Sequence, residues 1–161
     1  MNAASLNELK RELTTLDENV LRDLCVRLAR FKKENKELLS YLLFEAHDEI
    51  SFVNSIKMEI DELFNDVPVG ANTYYVKKSL RRILRIINRQ IRYSGKPETE
   101  LECRLHFCGK IQDAKIPLAP GTVLFNLYHQ QVKKIRAVAG KLPEDLQADY
   151  TREINTVAAL R

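Results

Sequence analysis

The sequence predicts an all-α protein, and three observations carry that expectation. Leucine and isoleucine recur at three- and four-residue spacing along most of the chain. The 161 residues include only 5 Gly and 5 Pro, so long stretches run without a breaker. No segment shows the sustained apolar-polar alternation of a half-buried strand. With 45% hydrophobic and 30% charged residues, the composition is that of a globular protein and argues against disordered, collagenous and disulfide-scaffold classes. The length suits a single helical domain over 1–161, with the first helix, 5–16, as its most loosely attached element.

Each element follows from local signals. Ser5 and Glu8 form a capping box ahead of Leu6, Leu9, Leu13 and Leu16, which predicts a short first helix. Asp17 is a suitable N-cap for a second helix from about 18 to 32, carried by Leu21, Leu24, Cys25, Leu28 and Phe31. From Glu34 to Asp66 there is neither Gly nor Pro, and Leu39, Leu43, Ala46, Ile50, Val53, Ile60 and Phe64 keep a heptad-like order; the reading there is one long helix. Val67-Pro68-Val69-Gly70-Ala71 breaks the pattern, Asn72 caps a fourth helix to Ser94, and Gly95 closes it. Pro97 with Glu98, Glu100 and Glu102 opens a fifth, whose inner face is Leu101, Leu105, Cys108 and Ile111. After the loop at Ile116–Gly121, Val123, Leu124, Leu127, Tyr128, Ile135, Val138 and Leu142 mark a sixth, and Pro143 starts a seventh through Leu146, Tyr150, Ile154 and Val157. Six to seven helices in an irregular bundle result, with a short α-solenoid of stacked hairpins as the alternative.

Charge is the sharpest feature. Residues 1–66 hold 9 basic and 14 acidic side chains, residues 67–97 hold 8 basic and none acidic, and residues 98–161 hold 9 basic and 8 acidic. The basicity of the chain, net +4, thus comes from one helix. At about 100° per residue, Lys78, Arg81, Arg82, Arg85, Arg89, Arg92 and Lys96 share one stripe opposite Val76, Leu80, Ile83, Leu84, Ile87 and Ile91. Tyr74 falls in the stripe and Tyr93 at its edge, as candidate stacking surfaces. Such a stripe suits an anionic partner, since guanidinium groups hold carboxylates and phosphates in bidentate fashion. The plainer reading pairs it internally, or between subunits, with Asp48, Glu59, Glu62 and Asp66. A basic amphipathic helix can also lie on an anionic membrane, but here the core needs the apolar side.

Catalytic and cofactor signals are absent. His47, His106 and His129 lack the Glu three residues earlier that a carboxylate-bridged metal bundle uses: positions 44, 103 and 126 are Phe, Cys and Asn. Cys103 and His106, three apart beside Glu102, supply too few ligands for zinc and no oxyanion donors, and are expected as surface or interface residues. None of the Gly-Lys pairs at 95, 109 and 140 has the glycine five residues earlier that a phosphate-cradling loop needs. Zinc-finger, basic-zipper and RNP patterns are also missing. Neither a signal-like N-terminus nor an apolar run of membrane-spanning length occurs, and the odd count of cysteines, Cys25, Cys103 and Cys108, fits reduced thiols. The expectation is therefore a cytoplasmic, non-enzymatic protein with no metal, cofactor or small-molecule ligand. It works through a protein partner or self-association by the basic face of the 72–96 helix, the alternative being nucleic-acid binding by the same stripe without base readout.

Overall fold

A computed structural model describes residues 2–159. They are all-helical, with eight α-helices and no strand among the described residues. Contacts gather the described residues into two compact units, with the boundary between Phe44 and Glu45.

The first unit contains α1 (Leu6–Thr14), α2 (Glu18–Phe31) and α3 (Lys33–Ser40). Its helix starts are those the sequence encodes. Ser5 Oγ accepts from the Glu8 amide while the Glu8 carboxylate accepts from the Ser5 amide, and Asp17 accepts from the amides of Asn19 and Val20. Lys32 is extended and separates α2 from α3, which packs on α2; Asn35 Nδ2 donates to the Leu28 carbonyl at 2.8 Å. No side chain of α1, α2 or α3 is buried.

The second unit contains α4 (Glu49–Asn65), α5 (Thr73–Ser94), α6 (Pro97–Asp113), α7 (Val123–Ala139) and α8 (Glu144–Ala158). The long helix expected over 34–66 is two helices, which raises the total to eight. After Ser40 the backbone widens into a single π-helical turn, Tyr41–Glu45, and helix geometry lapses before Asp48. Asp48 then caps α4: its carboxylate accepts from the Ser51 amide at 3.1 Å and from Ser51 Oγ at 2.7 Å. A residue that reads as helix interior by spacing acts as an N-cap because its short carboxylate can satisfy orphan amides.

α6 is the axis of this unit. It packs against α4, α5, α7 and α8, an arrangement of a bundle rather than of a linear stack of hairpins. Its side chains are accordingly buried almost all round: Leu101, Cys103, Phe107, Cys108 and Ile111 are completely enclosed. The expectation that Cys103 is a surface or interface residue is thus corrected: it lies in the core. A helix surrounded by neighbours has no outer side, and the face opposite Leu105 and Cys108 meets another helix. Burial pushes both the Cys103 and the Cys108 thiols up to about 12, and neither is in a disulfide, whereas Cys25 is exposed. One of the three thiols should therefore react quickly with an aromatic disulfide reagent in the native protein, and all three after denaturation; a Cys25→Ser variant with any fast native thiol would contradict this.

The periphery is tied down by single polar anchors. Tyr128, fully enclosed, donates to the Val157 carbonyl at 2.6 Å and accepts from Gln112 Nε2 at 2.9 Å, joining α7, α8 and α6. Among the described residues no helix is long and apolar enough to cross a membrane.

Candidate interaction surface

α5 is held as a straight, two-sided rod by its ends and by its apolar side. Asn72 Oδ1 accepts from the Tyr74 amide at 2.9 Å, and Gly95 ends the helix at φ 67°. A Cβ at Gly95 would meet nothing within 4 Å, so the demand for glycine there is conformational and not spatial. Val76, Leu80, Ile83, Leu84, Ile87 and Ile91 are buried, and α5 packs on α4, α6 and α7.

The opposite side carries the predicted cations. Lys78, Arg81, Arg82, Arg85 and Arg92 are exposed. Among the described residues none of these five has a carboxylate within 4.0 Å, so the acidic set Asp48, Glu59, Glu62 and Asp66 does not neutralise them. Asp48 is occupied as the α4 cap, and hydrogen bonds from Ser51 hold its carboxyl below the ordinary value. The other two members of the stripe stand apart. Arg89 is half-buried, and Lys96 Nζ is 2.9 Å from Glu49 Oε2, a carboxylate that also accepts from Ser94 and Thr99. The exposed stripe thus runs from Lys78 to Arg92, about 21 Å at roughly 1.5 Å per residue.

The aromatic flank is narrower than the sequence suggests. Tyr93 is only 9% exposed and belongs to the core, because the edge of the stripe is also the edge of the packed side. Tyr74 is exposed, edge-on to Tyr75 with centroids 5.4 Å apart, and Lys77 Nζ lies 5.4 Å from the Tyr74 ring centre.

The group Glu102, Cys103 and His106 is dispersed by the fold. Glu102 accepts from Lys57 Nζ at 2.6 Å and from the Tyr150 hydroxyl at 2.9 Å, while His106 Nε2 is 2.8 Å from Asp61 Oδ1, which also faces Lys110 at 3.2 Å. Partial burial works against ionised Asp61, but the hydrogen bonds and charges of His106 and Lys110 outweigh it and leave the carboxyl below its ordinary value. Lys57, Glu102, His106 and Tyr150 rim a pocket of about 340 Å³ between α4, α6 and α8. Among the described residues no three His, Cys, Asp or Glu side chains are grouped to hold a metal ion.

A polar element absent from the sequence reading lies in the core. Arg104 is only 4% exposed, yet its Nε and Nη2 reach Glu100 Oε1 at 2.8 and 2.7 Å, Nη1 reaches Gln131 Oε1 at 2.7 Å and Nη2 reaches Asn88 Oδ1 at 3.1 Å. Asn88 lies on α5, so this network fixes the rod that bears the basic stripe to α6 and α7. The only sequence signal is Glu100 and Arg104 at i, i+4, which is indistinguishable from a solvated helix pair.

Comparison of the chain with protein-family models, with curated proteins and with solved structures finds no match.

Proposed function

We propose that the protein is a non-catalytic interaction module, acting in the cytoplasm, whose Lys78–Arg92 face docks an acidic surface of a partner protein. The observation that carries this reading is the set of five exposed cations with no carboxylate partner among the described residues. Like charges at i, i+4, such as Arg81 and Arg85, repel by a few tenths of a kcal/mol each, roughly what an opposing acidic surface would offset. The apolar side and the Arg104 network supply a rigid platform, so docking requires little reordering of the backbone. Four of the five cations are arginines, suited to bidentate carboxylate contact.

The test uses a labelled poly-glutamate 20-mer and a labelled 20-base-pair duplex, each titrated at several salt concentrations against the wild type and Arg81→Glu/Arg85→Glu. Both substituted side chains are exposed, so the helical circular-dichroism signal should be unchanged. Poly-glutamate should bind at low salt, weaken as salt rises, and lose on the order of tenfold or more with the double substitution, as several charge contacts of up to about 1 kcal/mol disappear. Tighter binding to the duplex, with a salt slope that falls in the variant, would replace the acidic partner with nucleic acid. No binding of either probe at low salt would defeat the proposal.

A further inference from the structure

The first unit raises a separate question. Its helices are 9, 14 and 8 residues long and bury none of their side chains, although helices shorter than about 12–15 residues are marginal in water without tertiary cover. Every helix of the second unit, by contrast, buries at least one. Between Leu6 and Phe44, twelve large apolar side chains are exposed, including Leu28 at 60% and Phe31 at 77%. Four of them, Val20, Leu24, Leu28 and Phe31, lie on α2 and offer on the order of 400 Å² of apolar surface at roughly 150–200 Å² for a large side chain, about half exposed. A standard stable interface takes about 800 Å² from each partner, of which somewhat over half is apolar.

The charges of α2 indicate what covers this surface. Residues 17–23 hold Asp17, Glu18 and Asp23 against Arg22, while residues 24–33 hold Arg27, Arg30, Lys32 and Lys33 with no acid. The helix is acidic at its start and basic at its end, so a second α2 laid antiparallel sets each acidic end on a basic end. α2 is therefore complementary to itself, as an isologous two-fold contact requires. Its surface Val20, Leu24, Leu28 and Phe31 falls on one side of the helix and meets its own copy about an axis near Cys25, with Asp23 of one chain beside Arg27 of the other. A partner of uniform charge would meet repulsion at one end.

We propose that α2 is a homodimerisation element, pairing antiparallel with α2 of a second copy of this chain through the Val20, Leu24, Leu28 and Phe31 face. The inference does not rest on the basic stripe of α5 and can fail without it.

Sedimentation velocity of the full chain at up to 100 µM and physiological salt tests it. The wild type should sediment at twice 18.6 kDa, and Leu24→Asp/Leu28→Asp as a monomer, with a dissociation constant raised at least 100-fold. Both residues are exposed, and a retained cooperative thermal transition shows that the variant is folded. Arg27→Glu alone should weaken the dimer several-fold, and Asp23→Arg in the same chain should restore it. A short bismaleimide should join the two Cys25 thiols, the exposed ones, near the axis. Arg81→Glu/Arg85→Glu should leave the dimer intact, which separates this idea from the docking role of α5. A wild-type monomer at 100 µM overturns the proposal. So does a dimer indifferent to Leu24→Asp/Leu28→Asp, and one indifferent to Arg27→Glu overturns the antiparallel register.

Discussion

Arg104→Ala should destabilise the protein by about 3 kcal/mol, toward the lower end of the cost of removing one partner from a buried ion pair, since Arg104 is enclosed while Glu100 is partly exposed. The loss has three parts. The Glu100 carboxylate is left without its counter-charge, the buried Gln131 side chain without a partner for Oε1, and the aliphatic stem of Arg104 leaves a void between α6 and α7. Arg104→Lys should recover only part of this, because an ammonium cannot reach Glu100, Gln131 and Asn88 together as the planar fork does. A triple variant, Glu100→Leu/Arg104→Met/Gln131→Leu, should lie closer to the wild type than Arg104→Ala, since apolar replacement of a buried ion pair is often neutral or stabilising and only the half-buried Asn88 is left without its partner. Urea unfolding of the four proteins, read by circular dichroism, checks the order. A loss below about 1 kcal/mol in Arg104→Ala would mean that water reaches the guanidinium and that the network does not anchor α5.

Phe107→Ala should produce an effect of similar size by a different route. Phe107 is fully enclosed on α6, and its ring meets Phe64 of α4 edge to face, with centroids 5.7 Å apart and planes at 62°. Truncation removes the transfer energy of the ring and leaves a cavity that a central helix cannot collapse, for a total of about 3–5 kcal/mol. The aromatic pair adds about 0.5–1.5 kcal/mol beyond area. The midpoint of thermal unfolding should fall by on the order of 10–20 °C. Phe107→Leu, which refills most of the space, should lose less than half as much. A scanning calorimetric trace in which Phe107→Ala melts within 3 °C of the wild type would contradict the enclosed placement.

What could be read from the sequence, and what could not, follows from the range of the signals. Caps and breakers act within four residues, so Ser5 with Glu8, Asp17, Asn72, Gly95 and Pro97 mark helix ends where the fold has them. The apolar side of α5 was legible for the same reason: a helix with one buried side writes it at a period of 3.6. α6 carries a weaker pattern because it is packed from several directions, which is why Cys103 looked exposed and Arg104 looked like half of a surface pair. Apolar spacing alone continues through Tyr41–Asp48, and only the backbone reveals the wider turn and the new cap. The five exposed cations were readable as a stripe, but the withdrawal of Lys96 toward Glu49 depends on residues 47 apart in the chain.

The central position of α6 also has a consequence in time. On a chain synthesised from its N-terminus at about 5–20 residues per second, the interval between completing α5 at Ser94 and α6 at Asp113 is roughly 1–4 s. For those seconds α5, with its row of isoleucines and leucines, has been made while α6, one of the helices that cover it, has not. The uninterrupted positive charge from Lys77 to Lys96 then lies on the same nascent segment, and copies of that segment on neighbouring ribosomes repel one another. The stripe thus supplies charge repulsion between copies during synthesis, before any partner is met.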